Sequence, residues 1–227
     1  MQHEIKGGTL PVAVLTLSPG ESVVTEGGGM SWMSPNLRMD TNLKGGLFGG
    51  LTRALAGETV FLNTYTAEGG PGLLACASSF PGTILPIDLP AGGHVIVQKR
   101  SFLCGSSTLT LSMHLKRSFG VGMFGGEGFI MQKVEGPGRV FLEIDGSLEK
   151  IVLGAGQSII VDPGHLAAYT PGITVALETV KGFKNIFLGG EGLFVARLSG
   201  PGEIYLQTLT AQNVANSILP YLPKPSN

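Results

Sequence analysis

Charge is scarce in this chain. Lys, Arg, Asp and Glu make up 14% of its 227 residues, against roughly 25% in ordinary globular domains. The 15 basic and 16 acidic residues leave a net charge of -1, which argues against a protein built to neutralise phosphates. Cysteine is nearly absent. Cys76 and Cys104 form no C-x-x-C pair and no disulfide framework, so a reducing cytoplasm is the expected setting. Long apolar runs are missing too, and none reaches the ~18 residues of a membrane-spanning helix. The segment Met1 to Lys6 lacks the basic and apolar stretches of a targeting signal. The four histidines stand in no H-x-H or H-x-x-x-H arrangement, so no metal-ligand set is indicated. No G-x-S-x-G elbow occurs. Apolar residues, by contrast, reach 43%, which excludes a disordered polymer.

Glycine (36) and proline (14) are abundant. Both break helices, by roughly 1 and 3 kcal/mol per interior position, so a compact chain this rich in them is expected to consist of short strands and turns. The chain also repeats itself. Leu17-Ser-Pro-Gly20-Glu-Ser-Val23, Leu89-Pro-Ala-Gly92-Gly-His-Val95 and Leu153-Gly-Ala-Gly156-Gln-Ser-Ile159 share one pattern. Downstream, Met30, Phe102 and Leu166 correspond, then Leu37, Leu109 and Ile173, then Lys44, Lys116 and Lys181. A glycine-rich apolar stretch follows in each copy and ends in Gly-Glu, at Glu58, Glu127 and Glu191. Each copy then carries Gly-Pro-Gly: Gly70-Pro71-Gly72, Gly136-Pro137-Gly138 and Gly200-Pro201-Gly202. Landmarks in the same order three times point to internal triplication.

Proline presets φ at the first central position of a turn, and glycine accepts the positive φ of the second. Each Gly-Pro-Gly is therefore expected to send the chain back as a hairpin. Asp145-Gly146 is a further hairpin signal. Strands about every eight to twelve residues suit a sandwich or barrel. The expected architecture is one all-β domain over residues 1–227, with repeats near 5–80, 81–145 and 146–208 arranged around a pseudo-threefold axis. The first copy is longer between Lys44 and Glu58 than the others are between Lys116 and Glu127 or Lys181 and Glu191. A short C-terminal helix is expected near 210–219, capped by Thr210 and stopped by Pro220.

The threefold Leu-x-x-Gly and Gly-Pro-Gly pattern, with Gly125-Gly-Glu-Gly-Phe-Ile130 and Gly189-Gly-Glu-Gly-Leu-Phe194, resembles the altered-inheritance-of-mitochondria protein twenty-four family, in its bacterial type. The resemblance covers roughly residues 5 to 222. It implies a double-stranded β-helix fold similar to that of the tryptophan RNA-binding attenuator protein, with three structural repeats in one chain. It carries over no catalytic residue, and the mitochondrial members' part in inner-membrane architecture does not pass to a bacterial chain.

Repetition marks the candidate sites. Glu58, Glu127 and Glu191 share one position, preceded by Lys44, Lys116 and Lys181. Three carboxylates at an axis could hold a cation, but local Lys–Glu pairing is the preferred reading. The glycine-rich loops carry Leu47 and Phe48, Met123 and Phe124, and Phe187 and Leu188. Exposed, they would form an apolar contact surface; otherwise they begin core strands. The stretch Leu47 to Leu55 is the one expected to protrude. Cys104 corresponds to Trp32 and Ala168, and Cys76 to Leu142 and Leu206, so both cysteines read as small buried hydrophobes. Lys99-Arg100 and Lys116-Arg117, each followed by Ser-Phe, form a crude basic-aromatic pattern. The expected role is a non-catalytic binding or scaffold module without a cofactor. Its partner would be a protein, a second copy or a membrane surface. A small-ligand or metal-dependent β-helix enzyme and an RNA-binding protein stand as alternatives.

Overall fold

Short apolar runs bounded by glycine become strands along the whole chain. The structure is a computed structural model that describes residues 1–41, 62–117, 128–179 and 194–223. A first strand, β1 (Gln2–Lys6), precedes three sets of six. The first set is β2 (Val12–Leu17), β3 (Ser22–Glu26), β4 (Trp32–Met33), β5 (Leu37–Thr41), β6 (Leu62–Ala67) and β7 (Gly72–Ala77). The second is β8 (Gly82–Leu89), β9 (His94–Gln98), β10 (Phe102–Ser106), β11 (Thr110–Arg117), β12 (Phe129–Glu135) and β13 (Gly138–Asp145). The third is β14 (Leu148–Leu153), β15 (Ser158–Val161), β16 (Leu166–Tyr169), β17 (Thr174–Thr179), β18 (Phe194–Ser199) and β19 (Gly202–Gln207). One α-helix among the described residues, α1 (Ala211–Ile218), follows, and Thr210 Oγ1 accepts from Asn213 N at 3.1 Å to cap it.

The pairing scheme is the same in each set, and every pair is antiparallel. The sixth strand pairs with the first and the third. The fifth pairs with the second and the fourth. Two further pairs join neighbouring sets, β3 with β10 and β9 with β16. They produce two six-stranded sheets, β5-β6-β3-β10-β13-β8 and β11-β12-β9-β16-β19-β14. At the ends lie β1-β2-β7-β4 and β15-β18-β17. The pair that would close a ring about a threefold axis, β4 with β15, is not among those formed by the described residues.

Burial follows position in this scheme. In β2, Ala13, Leu15 and Leu17 are buried while Val12, Val14 and Thr16 are not, the period of two that a strand with one covered face requires. In β13, all six residues from Val140 to Asp145 are buried, because this strand is paired on both edges, with β10 and β8, and covered on both faces. The buried apolar side chains form three groups in chain order. One combines Leu15, Leu17, Tyr65 and Leu74 with Cys104 and Phe141. A second is built on Val95, Val97, Phe102 and Leu142, and a third on Phe129, Met131, Leu166 and Leu198. Each such side chain contributes roughly 1.5–3 kcal/mol on burial.

Two turns differ from expectation. Gly-Pro-Gly does not close a hydrogen-bonded hairpin: β12 lies between β11 and β9, and β13 between β8 and β10, so the turn carries the chain from one sheet to another. The same holds for Asp145-Gly146. Gly146 turns at φ +74°, yet β14 pairs with β19 because both edges of β13 are already occupied. Gly138 and Gly202 do lie at positive φ, +149° and +154°. In the first set the positive φ falls at Gly69 (+69°) instead; Gly72 is required for space, since a Cβ there would run into Leu37.

Candidate functional site

Where neighbouring sets meet, buried carboxylates take the place of apolar side chains. Glu143 and Asp145 alternate on β13, so both side chains leave the same face. Glu143 Oε1 accepts from Ser79 N and Phe80 N, the latter at 3.1 Å. Asp145 N in turn donates to Gln207 Oε1 at 3.2 Å, and Gln207 Nε2 donates to Gly164 O at 2.9 Å. Gln207 occupies on β19 the place Glu143 holds on β13, so one type of amide-to-side-chain bond ties the first set to the second and the second to the third. Burial pushes the Glu143 carboxyl up, against the pull of the bonds from Phe80 and Ser79. Burial, reinforced by the Glu143 charge and opposed by Arg100, raises Asp145 from 3.8 to about 6. Arg100 also lies over the Phe80 ring, 6.0 Å from its centroid.

A groove of about 490 Å³ runs along the first junction, lined by Glu21, Asp88, Pro90, Ser106 and Arg139 among others. Its charges are committed to one another. Arg139 holds Asp88 with Nε–Oδ1 at 2.6 Å and Nη2–Oδ2 at 2.7 Å, and its Nη1 lies 2.7 Å from His3 Nδ1. The Asp88 carboxyl is held below its ordinary value chiefly by the Arg139 hydrogen bonds. Burial and the Arg139 charge lower His3, with Asp88 opposing. A neutral imidazole that accepts from a guanidinium and meets the Phe141 ring edge-on at 5.1 Å serves as a strand-to-strand tie. The same arrangement offers little to a substrate as an acid or base.

The other sequence candidates divide by position. Lys44, Leu47, Phe48, Glu58, Met123, Phe124, Glu127, Lys181, Phe187, Leu188 and Glu191 lie outside the described residues. Lys116 is exposed at the end of β11. Cys76 and Cys104 are buried as free thiols, and burial followed by the neighbouring Cys76 pushes the Cys104 thiol well up. His165 Nδ1 is 2.6 Å from Gln207 O, and His114 meets Tyr169 edge-on. Among the described residues no three of His, Cys, Asp and Glu come together as a metal site. No described helix is long and apolar enough to cross a membrane.

Sequence reasoning missed Trp32, Val152 and Ile160, which are large, apolar and exposed on β4, β14 and β15. Their residue types read as ordinary core. Trp32 and Ile160 are left in solvent by their place on terminal strands, and Val152 by its outward face, where Thr16 and Asp88 are likewise exposed in the other sets.

An all-β array with one short helix, tied at its junctions by buried polar bonds, fits a defined class. The chain belongs to the family described as mitochondrial biogenesis AIM24, which it matches over residues 3–209. It is 30% identical to the uncharacterized protein M6_Spy0233 of Streptococcus pyogenes serotype M6, over 96% of this chain and 89% of the relative. The crystal structure of protein SPYM3_0169 from Streptococcus pyogenes is similar at a TM-score of 0.77 and 27% identity, covering 97% of this chain and 99% of that one.

Proposed function

We propose that the protein is a non-catalytic binding or scaffold module of the cytoplasm, acting through contact with a protein or, peripherally, a membrane surface. One domain of three repeats, near residues 5–80, 81–145 and 146–208, is the organisation we propose for it, supported by the shared pairing scheme. The observation that carries the functional reading is the apolar side chains left in solvent on terminal strands, Trp32, Val152 and Ile160. Burying each in an interface would contribute roughly 1.5–3 kcal/mol, whereas Arg139, Asp88 and His3 in the groove are already held by one another.

Affinity capture and liposome flotation test it. The wild type is compared with Val152→Asp and with Leu47→Asp and Phe48→Asp in the loop the sequence singles out. Partners or lipid binding lost in any variant supports the module. A wild type that captures nothing and does not float removes it. Stoichiometric metal in the purified protein, or RNA binding with steep salt dependence, would replace it with one of the alternatives.

A further inference from the structure

The two end sheets are complementary halves. Within the chain, the second strand of one set pairs with the third strand of the next, in the same register each time. Cys104 stands opposite Thr25 and Gly105 opposite Val24; Ala168 stands opposite Val97 and Tyr169 opposite Ile96. Each junction converts two three-stranded halves into one six-stranded sheet. The third set ends in β15, with β18 and β17 behind it and its other edge unpaired among the described residues. The first set ends in β4, with β7, β2 and β1 behind it and its other edge likewise unpaired. We propose that β15 of one copy of this chain pairs antiparallel with β4 of the next, making the same junction a third time between molecules. The contact is head-to-tail, so it builds rings or open arrays and not a closed two-fold dimer.

The equivalent positions fix the register: Trp32 opposite Val161, Met33 opposite Ile160. Exposure at these positions marks the missing neighbour. Trp32 is 52% exposed, whereas Cys104 and Ala168 in the same place are fully buried. Ile160 is 51% exposed, whereas Val24 and Ile96 are 9% and 3%. The substitution of tryptophan for cysteine or alanine is compensated across the strand pair. Trp32 stands opposite Ala75, Cys104 opposite Phe141 and Ala168 opposite Tyr205. Each set thus places one aromatic and one small side chain at this point, and directly opposite residues share a face. In the first set the aromatic member is on the open-edge strand, where a second copy would cover it. An uncovered edge with apolar side chains is a template for strand addition, and the partner whose shape and register already match is this chain itself.

This inference rests on the contact-module reading and names its partner. Light scattering on the size-separated full chain, over a range of concentrations, tests it with Trp32→Lys and Ile160→Lys, both at exposed positions that a single copy tolerates. Circular dichroism checks that each variant is folded. The wild type is expected above the chain mass. Each variant alone is expected at the chain mass, since a lysine blocks one half of the junction. A 1:1 mixture is expected to form one species of twice the chain mass, because the intact β15 of the Trp32→Lys copy meets the intact β4 of the Ile160→Lys copy. Trp32 is the chain's single tryptophan, so emission from the Ile160→Lys copy should shift to the blue on mixing. A wild type at the chain mass at every concentration, assembly unchanged by both variants, or a mixture without the heterodimer overturns the proposal. A monomer that still captures partners or floats with vesicles defeats self-assembly alone; a monomer that does neither defeats the module reading with it.

Discussion

Asp145 shows how a single residue can work against the fold that holds it. Its carboxyl titrates near 6 in the folded chain against 3.8 when solvated. An acid whose folded pKa is raised binds protons more readily folded than unfolded, so its cost is complete above about 6 and vanishes below about 4. At 1.36 kcal/mol per unit, the cost at neutral pH is about 3 kcal/mol. Glu143 shifts in the same direction. Asp88 and Glu203, held low by Arg139 and Lys150, act oppositely and lose stabilisation as pH falls. Comparing Asp145→Asn with wild type isolates the first effect. The variant should be more stable at about pH 7.5, by up to about 3 kcal/mol, and the gap should close by about pH 4. Urea melts at the two pH values measure it; an equal gap at both would show that Asp145 ionises as it does in water. None of this was legible in the sequence, where Asp145 read as half of a turn signal. Its burial comes from the neighbouring set. The cysteines were legible, because the corresponding residues Trp32, Leu142, Ala168 and Leu206 are apolar in the other copies.

At the scale of elements, glycine positions were readable and strand partners were not. The periodicity and the turn residues locate the strands, and Thr210 marks the start of α1. The Gly-Pro-Gly segments read as hairpins because consecutive strands usually pair, yet each strand they connect already has both edges filled. What survives is the local backbone requirement. At Gly138 a Cβ would stand 2.9 Å from Thr108 Oγ1, and at Gly202 2.8 Å from Ile173 Cγ1, both at positive φ. Gly20 is also at positive φ (+79°) but faces open space. Gly138→Val and Gly202→Val should therefore each cost about 1–2 kcal/mol or more, whereas Gly20→Ala should cost only the backbone part, about 1 kcal/mol. Denaturant midpoints rank the three; equal losses would mean that crowding by Thr108 and Ile173 contributes nothing.

For the whole molecule, the decisive feature is that two junctions are made inside the chain and the halves of a third are left over. A protein whose ends complete one another is stabilised by mass action when its copies meet, because association favours the folded state. Its Tm should rise with protein concentration in the wild type and stay constant in Ile160→Lys. Scanning calorimetry over a hundredfold dilution series checks this, and a constant Tm in both proteins would speak against assembly.

Composition and the recurring glycines determine by themselves that the chain is all-β, where its turns fall and which cysteines are buried, because backbone φ preference and apolar periodicity are local properties. Which strand lies beside which, the burial of Asp145 and the exposure of Trp32 and Ile160 were decided only by the tertiary structure. A strand has two edges and two faces, and nothing in its own residues says which neighbour will cover them.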